Sequence, residues 1–248
     1  MSRVAISPAA VLFDLDGTLA DSGPAIARAL NRALREQGLA EQSREWVRRH
    51  VGRGAAALVR DAVGRPEEDL VGTVGASYSR HYRAIYLDQT RPIPGAREVL
   101  SFVAAGTGGR VGVVSNKDSL LCNRWLRQWG LAGFVAVVSG PDVSGARKPD
   151  PRALLPVLQA LDVTPGSAVL VGDMVIDVAA GAAAGVGVIA VQGGGSTAGE
   201  LRDAGALVAL HELRDLPPWL AGNGHGWQVK QAISHQQSAL SNQPLAGS

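Results

Sequence analysis

The sequence is poor in cysteine and in aromatic residues, and it has no dense run of basic residues. Its only cysteine, Cys122, cannot form a disulfide within the chain, which fits a reducing compartment. Aromatic residues make up 4% of the 248 residues, too few for the stacking platforms that bind single-stranded nucleic acid. The basic residues are scattered, and the formal net charge is +2. This mild basicity favours an anionic small molecule as partner and argues against nucleic acid.

The sequence also lacks a convincing secretory signal or membrane span. The apolar run near the N-terminus stops at Asp14, which makes it a poor signal peptide. Residues 168–191 are apolar, but Asp173 and Asp177 would lie in the middle of a span at a high energetic cost. We therefore interpret this segment as a strand, a loop, a helix and a second strand. We expect a cytoplasmic protein with no membrane partner.

Short, continuously apolar runs alternate with helical patterns through most of the chain. Continuous apolar runs are typical of strands covered on both faces, so they predict a parallel sheet. The alternation of strands and helices predicts a doubly wound, Rossmann-like α/β core. The predicted strands are 10–13, 110–115, 135–139, 168–172, 186–191 and 207–210, and the predicted helices are 95–104, 119–129, 151–161, 175–184 and 197–204.

One interval, residues 21–92, contains no convincing strand and is interpreted as an inserted all-helical cap domain. Such an insert would lie over the C-terminal edge of the sheet, where open α/β sheets bind ligands. Its predicted helices start at Pro24 and fit 43–49, 55–63 and 67–86. The predicted domains are thus a core of 1–20 and 93–221, the cap of 21–92, and a tail of 222–248 that we expect to be disordered because of its Gln, Ser and Asn content.

Polar side chains close or follow several of the predicted strands. In a parallel sheet these strand ends share one edge, so residues that are distant in sequence can meet there. The candidates are Asp14, Asp16, Ser115, Asn116, Lys148, Asp173 and Asp177, in the segments DLDGT, VVSNK, KPDP and GDMVID.

The residue types in this set indicate phosphoryl transfer. Two or three carboxylates at one edge repel one another unless a cation lies among them. Oxygen ligands with few protein contacts suit Mg²⁺, which keeps several waters and shares the phosphate oxygens of a substrate. Lys148 adds a positive charge, and Ser115 and Asn116 offer donors next to a helix N-terminus, which itself attracts anions. An aspartate can then act as the nucleophile.

These four segments, in this order and with a helical insert after the first, resemble the haloacid dehalogenase-like phosphohydrolase superfamily. The resemblance covers residues 9–215, and the insert resembles the C1-type cap of that superfamily. Within it, VGRGAAALVRDAV and IPGAREVL are most similar to phosphoglycolate phosphatases. The resemblance implies a Mg²⁺-dependent phosphomonoesterase that hydrolyses a small phosphorylated metabolite, most plausibly 2-phosphoglycolate, through an aspartyl-phosphate.

The resemblance also implies a role for each carboxylate. Asp14 would be the nucleophile that attacks phosphorus. Asp16 would protonate the leaving group and then, as a base, activate water. Mg²⁺ would be held by Asp14, Asp173 and the backbone carbonyl of Asp16, with Asp177 supporting the metal site directly or through water.

The remaining candidates would contact the substrate. By the same resemblance, Ser115 would bind the transferring phosphoryl group with Asn116 beside it, and Lys148 would be the catalytic cation that neutralises charge. Thr18, in the DLDGT segment, is a further candidate for phosphate binding. Arg53 either contacts a substrate carboxylate from the cap or is a surface arginine at the start of a helix, and the sequence favours neither.

Several alternatives stay open at this point. A sugar-phosphate, nucleotide or pyrophosphate phosphatase would use the same residues, and so would a phosphomutase of the β-phosphoglucomutase kind. A dehalogenase is disfavoured because such members need no acid at the position of Asp16. A non-catalytic binding protein is disfavoured because Asp14, Asp16, Lys148 and Asp173 are all intact. The protein could be a monomer or a homodimer.

Overall fold

The structure, a computed structural model, describes residues 8–64 and 67–222. The tail predicted for residues 222–248 lies outside the described residues from residue 223 onward. In the part of the chain that is described, no helix combines the length and the hydrophobicity that crossing a membrane requires.

A six-stranded sheet, parallel throughout, forms the centre of the molecule, and a separate antiparallel pair joins β2 to β3. The strands in chain order are β1 (Ala10–Phe13), β2 (Ala20–Asp21), β3 (Arg91–Pro92), β4 (Val111–Val114), β5 (Val137–Ser139), β6 (Ala168–Gly172), β7 (Gly187–Val191) and β8 (Val208–Leu210). Their order across the sheet is β5-β4-β1-β6-β7-β8. The predicted α/β class with a parallel sheet is confirmed.

Strand β1 lies in the middle of the sheet and is buried on both faces, which explains its uninterrupted apolar sequence AVLF. Val11 and Phe13 pack into one hydrophobic cluster, whereas Ala10 and Leu12 pack into the cluster on the other side. Two layers of helices cover the sheet in this way, and the alternation of side chains along the strand assigns each residue to one layer.

In the described part of the segment between β2 and β3 there are four helices, as predicted for a helical insert. They are α1 (Gly23–Glu36), α2 (Arg44–His50), α3 (Ala55–Val63) and α4 (Glu68–Gln89). Helix α1 packs against α4, and both helices bury side chains, among them Leu30 on α1 and Tyr78 on α4. Because β2 pairs with β3, the chain leaves and re-enters the α/β core at one place. The domain boundaries at residues 21 and 92 stay a prediction.

Seven further helices follow the insert within residues 93–222. They are α5 (Ala96–Gly106), α6 (Ser119–Gln128), α7 (Pro141–Ser144), α8 (Leu155–Ala160), α9 (Val175–Ala184), α10 (Ala198–Asp203) and α11 (Leu216–Gly222). Helix α8 is shorter than the predicted 151–161, because Pro156 lacks an N–H and is tolerated only in a first turn. A 3₁₀ turn at Pro151–Ala153 precedes it. Strand β5 likewise begins two residues later than predicted, since Ala132–Phe134 forms a 3₁₀ turn.

The strand order decides where the functional residues lie. Strand β1 pairs with β4 on one side and with β6 on the other. Asp14, Ser115 and Asp173 each directly follow one of these three adjacent strands. Their side chains therefore start from the same edge of the sheet, the one at which open α/β sheets bind ligands.

Candidate active site

Three carboxylates converge at this edge. One oxygen each of Asp14, Asp173 and Asp177 lies within 4.8 Å of the others, and all three residues are buried. Asp14 follows β1 and Asp173 follows β6, while Asp177 lies in the first turn of α9. Residues separated by more than 160 positions in the chain are thus brought together, as the strand-end argument predicts.

A buried ammonium group faces two of these carboxylates. Lys148 Nζ lies 2.8 Å from Asp14 Oδ1, and it donates hydrogen bonds to Asp177 Oδ1 at 2.6 Å and to the Val114 carbonyl at 3.1 Å. Burial lowers the pKa of Lys148, but attraction to Asp14 and Asp177 outweighs this and holds the pKa above its usual range. Lys148 is therefore a fixed cation.

One ammonium does not balance three carboxylates. Burial raises the pKa of Asp14 to about 6, although Lys148 opposes the shift, and repulsion by Asp177 and Asp16 adds to it. Burial also raises the pKa of Asp173 well above its usual range, and the charges of Asp14 and Asp177 act in the same direction. The site thus carries an excess of negative charge that a further cation would relieve.

The turn after β1 lies against Asp173 and orients its carboxylate. Thr18, which is fully buried, donates its hydroxyl to Asp173 Oδ1 at 2.5 Å. Gly17 has φ +89°, and a β-carbon there would lie 2.3 Å from Asp173 Oδ2, so no side chain fits at this position. Thr18 thereby orients a candidate metal ligand, and its predicted contact with phosphate stays a prediction.

Asn116 connects three segments of the chain. Its Nδ2 donates to the Gly52 carbonyl in the helical insert at 2.7 Å and to the Lys148 carbonyl at 3.0 Å. Its Oδ1 accepts a 2.8 Å hydrogen bond from the backbone N–H of Lys148. Ser115, next to it, accepts a 3.3 Å hydrogen bond from the Lys117 N–H. Asn116 therefore fixes the backbone of Lys148 and touches the insert.

Asp16 lies farther out than Asp14 and forms an ion pair that the sequence analysis missed. Lys117 Nζ donates a hydrogen bond to Asp16 Oδ1, and the two side chains are 10% and 13% exposed. The same ammonium lies 5.2 Å from the centre of the Tyr82 ring, on helix α4 of the insert. The sequence feature that could have indicated this ion pair is the lysine of VVSNK itself, because it directly follows two residues already assigned to the site.

A cavity of about 360 Å³ opens between the sheet edge and the insert, a volume typical of small-ligand sites. The ionisable and aromatic side chains in its walls include Asp14, Asp16, Lys117, Tyr82, Arg83 and Arg147. Ser115 and Asn116 also line it. Arg53 is turned to Asp61 in an ion pair with 54% of its side chain exposed, while Gly52 and Gly54 line the cavity.

The fold and the site define an α/β protein with buried carboxylates beside a small-ligand cavity, and comparison with known proteins identifies its family as one of hydrolases. The family model described as haloacid dehalogenase-like hydrolase matches residues 11–191. The chain belongs to this family, so the resemblance seen in the sequence is confirmed.

The relatives extend over most of the chain. The phosphoglycolate phosphatase of Rhodospirillum rubrum is 38% identical over 221 residues, which are 86% of this chain and 91% of the relative. The enzyme of the same name from Nitrosospira multiformis is 37% identical over 188 residues, 73% of this chain and 82% of the relative. A haloacid dehalogenase-like family hydrolase from Streptococcus pneumoniae superposes with a TM-score of 0.77 at 19% identity, covering 88% of this chain and 99% of that one.

Proposed function

We propose that this protein is a Mg²⁺-dependent phosphomonoesterase that hydrolyses a small phosphorylated metabolite, with 2-phosphoglycolate as the leading substrate. The observation that carries the proposal is the convergence of Asp14, Asp173 and Asp177 on Lys148, beside a cavity of about 360 Å³. The substrate is supported by relatives named phosphoglycolate phosphatase at 37–38% identity. We further propose that residues 21–92 act as a cap over a core of 1–20 and 93–221, in a cytoplasmic protein.

The carboxylates fit a magnesium ion. Asp177 accepts hydrogen bonds at both oxygens, from Lys148 at Oδ1 and from the Met174 N–H at Oδ2. Asp14 and Asp173 each keep one oxygen, Oδ2, to which no donor among the described residues bonds. Mg²⁺ would accordingly be held by Asp14, Asp173 and the backbone carbonyl of Asp16, and Asp177 would act mainly by holding Lys148. When bound, the ion would neutralise charge on the carboxylates and on the phosphoryl group.

The reaction would proceed in two displacements at phosphorus. A carboxylate oxygen of Asp14 forms a bond to phosphorus, the bond from phosphorus to the ester oxygen breaks, and Asp16 donates a proton to the leaving alkoxide. Asp16 then takes a proton from a water molecule whose oxygen attacks the aspartyl-phosphate, which releases phosphate and restores Asp14. Lys148 and the Ser115 hydroxyl would stabilise the charge on the transferring group.

The test is phosphate release from 2-phosphoglycolate with and without Mg²⁺. Sugar phosphates, a nucleoside monophosphate and pyrophosphate are compared by kcat/KM, and a mutase assay with β-glucose 1-phosphate covers the phosphomutase alternative. We expect release that needs Mg²⁺ and that is fastest with 2-phosphoglycolate. Activity unaffected by a chelator, or no phosphate release from any ester, would contradict the proposal.

A further inference from the structure

Lysine is rare in this chain and concentrated at the site. Of the 24 basic residues, 21 are arginine and only three, Lys117, Lys148 and Lys230, are lysine. Two of the three lysines line or enter the candidate active site. Lys148 is accounted for by its contacts with Asp14 and Asp177, whereas the mechanism above gives Lys117 no function.

Lys117 is placed to bind an anion inside the cavity. Its side chain is 10% exposed, and it lines the cavity together with Asp16 and Tyr82. Asp16 is the carboxylate that bonds this ammonium among the described residues, and the Tyr82 ring lies against it at 5.2 Å. A lysine ammonium carries three N–H donors, of which the bond to Asp16 takes one. The ring of Tyr82 favours a cation at this position and excludes water from one side of it.

We propose that Lys117 binds a second anionic group of the substrate, one that lies within two or three bonds of the ester oxygen. In 2-phosphoglycolate this group is the carboxylate. The inference rests on the proposed function, because it takes Asp16 as the acid that must reach the ester oxygen. A cation that is hydrogen-bonded to Asp16 lies within one short linker of that oxygen, so the substrate carboxylate reaches Lys117 without leaving the phosphate site.

The other cations near the cavity fit this function less well. Arg83 and Arg147 line the cavity but are exposed, so they suit the distal part of a longer substrate. Arg53, the candidate named from the sequence, is turned to Asp61 and has 54% of its side chain exposed. Lys148 is engaged by two carboxylates and by the Val114 carbonyl. Lys117 alone among these five combines burial, a place in the cavity wall and proximity to Asp16.

The test compares two substrates that differ in the second group. In 2-hydroxyethyl phosphate, a CH₂OH group replaces the carboxylate of 2-phosphoglycolate. We expect Lys117→Gln, which keeps a donor for Asp16, to lower the ratio of kcat/KM for 2-phosphoglycolate to that for 2-hydroxyethyl phosphate. The expected fall is about 10- to 100-fold, as for the loss of one hydrogen bond between charged groups. Arg124→Gln, which removes an exposed charge on α6, should leave the ratio unchanged.

Two results would overturn the inference. An equal loss on both substrates would mean that Lys117 only positions Asp16 or supports the fold. A ratio that stays constant in Lys117→Gln but falls in Arg83→Gln or Arg147→Gln would assign the carboxylate to the outer wall of the cavity.

A binding measurement separates this inference from the proposed function. The Asp14→Asn protein cannot form the aspartyl-phosphate, so calorimetric titration with 2-phosphoglycolate in the presence of Mg²⁺ reports affinity alone. Adding Lys117→Gln should weaken binding about 10- to 100-fold for 2-phosphoglycolate and much less for 2-hydroxyethyl phosphate. If the wild-type protein releases no phosphate, the proposed function fails, and this titration still decides whether Lys117 binds the carboxylate.

A second measurement needs no substitution at Lys117. Because the chain has only three lysines, ¹³C-labelled lysine gives a spectrum in which each ε-methylene signal can be assigned with Lys230→Arg and Lys148→Arg as references. In the Asp14→Asn protein, 2-phosphoglycolate should shift the Lys117 signal, whereas inorganic phosphate should shift mainly that of Lys148. A Lys117 signal that 2-phosphoglycolate leaves in place would contradict the inference.

Discussion

Gly194, in the loop after β7, lies directly against the carboxylate of Asp173. A β-carbon built at residue 194 would lie 1.6 Å from Asp173 Oδ2 and 2.8 Å from its carboxyl carbon. Gly17 approaches the same oxygen from the turn after β1, so two backbone segments lie against this carboxylate and leave no room there for a side chain. The loop after β7 is thus part of what positions a candidate metal ligand, although it contributes no ligand of its own.

Gly194→Ala should therefore displace Asp173 and weaken Mg²⁺ binding. We expect a rise in the Mg²⁺ concentration that gives half-maximal activity and a loss in kcat of about 10²-fold, as for a displacement of about 1 Å in a catalytic group. Calorimetric titration of Mg²⁺ measures the binding change directly. Gly199→Ala is the matched control, because a β-carbon there meets nothing closer than 3.9 Å. Equal Mg²⁺ affinity in the two variants would show that the contact is unimportant.

Asp14→Asn should remove phosphate release while the protein stays folded. An amide is a poor nucleophile, so we expect a loss of at least about a thousandfold in kcat, in line with the removal of other catalytic nucleophiles. Circular dichroism and the thermal midpoint check that the fold is retained. Activity close to that of the wild type would rule out Asp14 as the attacking group.

Lys148→Met should destabilise the protein as well as inactivate it. The substitution removes the cation that Asp14 and Asp177 share and leaves their buried charges without a partner, which typically costs about 3–5 kcal/mol. Unfolding in urea measures the change in the free energy of unfolding. Arg152→Met breaks an exposed pair with Asp150, which water and salt screen, so it should leave the free energy of unfolding nearly unchanged. The comparison should be made without Mg²⁺. A similar change in the free energy of unfolding for the two variants would be inconsistent with the buried pairing of Lys148.

The only thiol should be inert in the folded protein. Burial raises the pKa of Cys122 to about 12, although the positive charge of Lys117 opposes the shift. An aromatic disulfide reagent at about pH 8 should thus react slowly with the native protein and rapidly after guanidinium denaturation, because the unfolded thiol has a pKa near 8.5. Rapid reaction before denaturation would contradict this.

The same thiol gives stability a pH dependence of known sign. Above about pH 8.5 the unfolded chain loses the thiol proton while the folded protein keeps it, so the unfolded state binds fewer protons and stability falls as the pH rises. Cys122→Val should reduce this fall in the alkaline range, which the thermal midpoint measures. An identical alkaline slope in the variant would exclude the thiol as its source.

The sequence predicted site residues where a local pattern, such as an apolar strand, also determines where its end lies in the fold. Asp14 and Asp173 each follow an uninterrupted apolar run, and a parallel sheet brings such strand ends to one edge regardless of their separation in the chain. Lys117 was missed because a lysine near the start of a helix normally faces solvent, whereas here its ammonium lies 5.2 Å from the centre of the Tyr82 ring on α4.

Other features depend on close approach between distant segments and leave no local signal. The three glycines at 193–195 look like an ordinary loop, yet Gly194 touches Asp173 and a β-carbon at Gly195 would lie 2.4 Å from the Arg48 carbonyl of the insert. Arg53 shows the same limit, because its orientation toward Asp61 depends on how the loop before α3 turns. Spacing along the chain does not encode either contact.

The hydrogen bonds of Asn116 have a consequence for how the molecule could open. Its bonds to the Lys148 backbone lie entirely within the α/β core, and only its bond to the Gly52 carbonyl crosses to the insert. If the insert swings away to admit a reactant, one hydrogen bond breaks and two persist. The Lys148 ammonium, which contacts Asp14 and Asp177, would then keep its position through every opening and closing cycle, so the protein would not have to rebuild its charge balance each time.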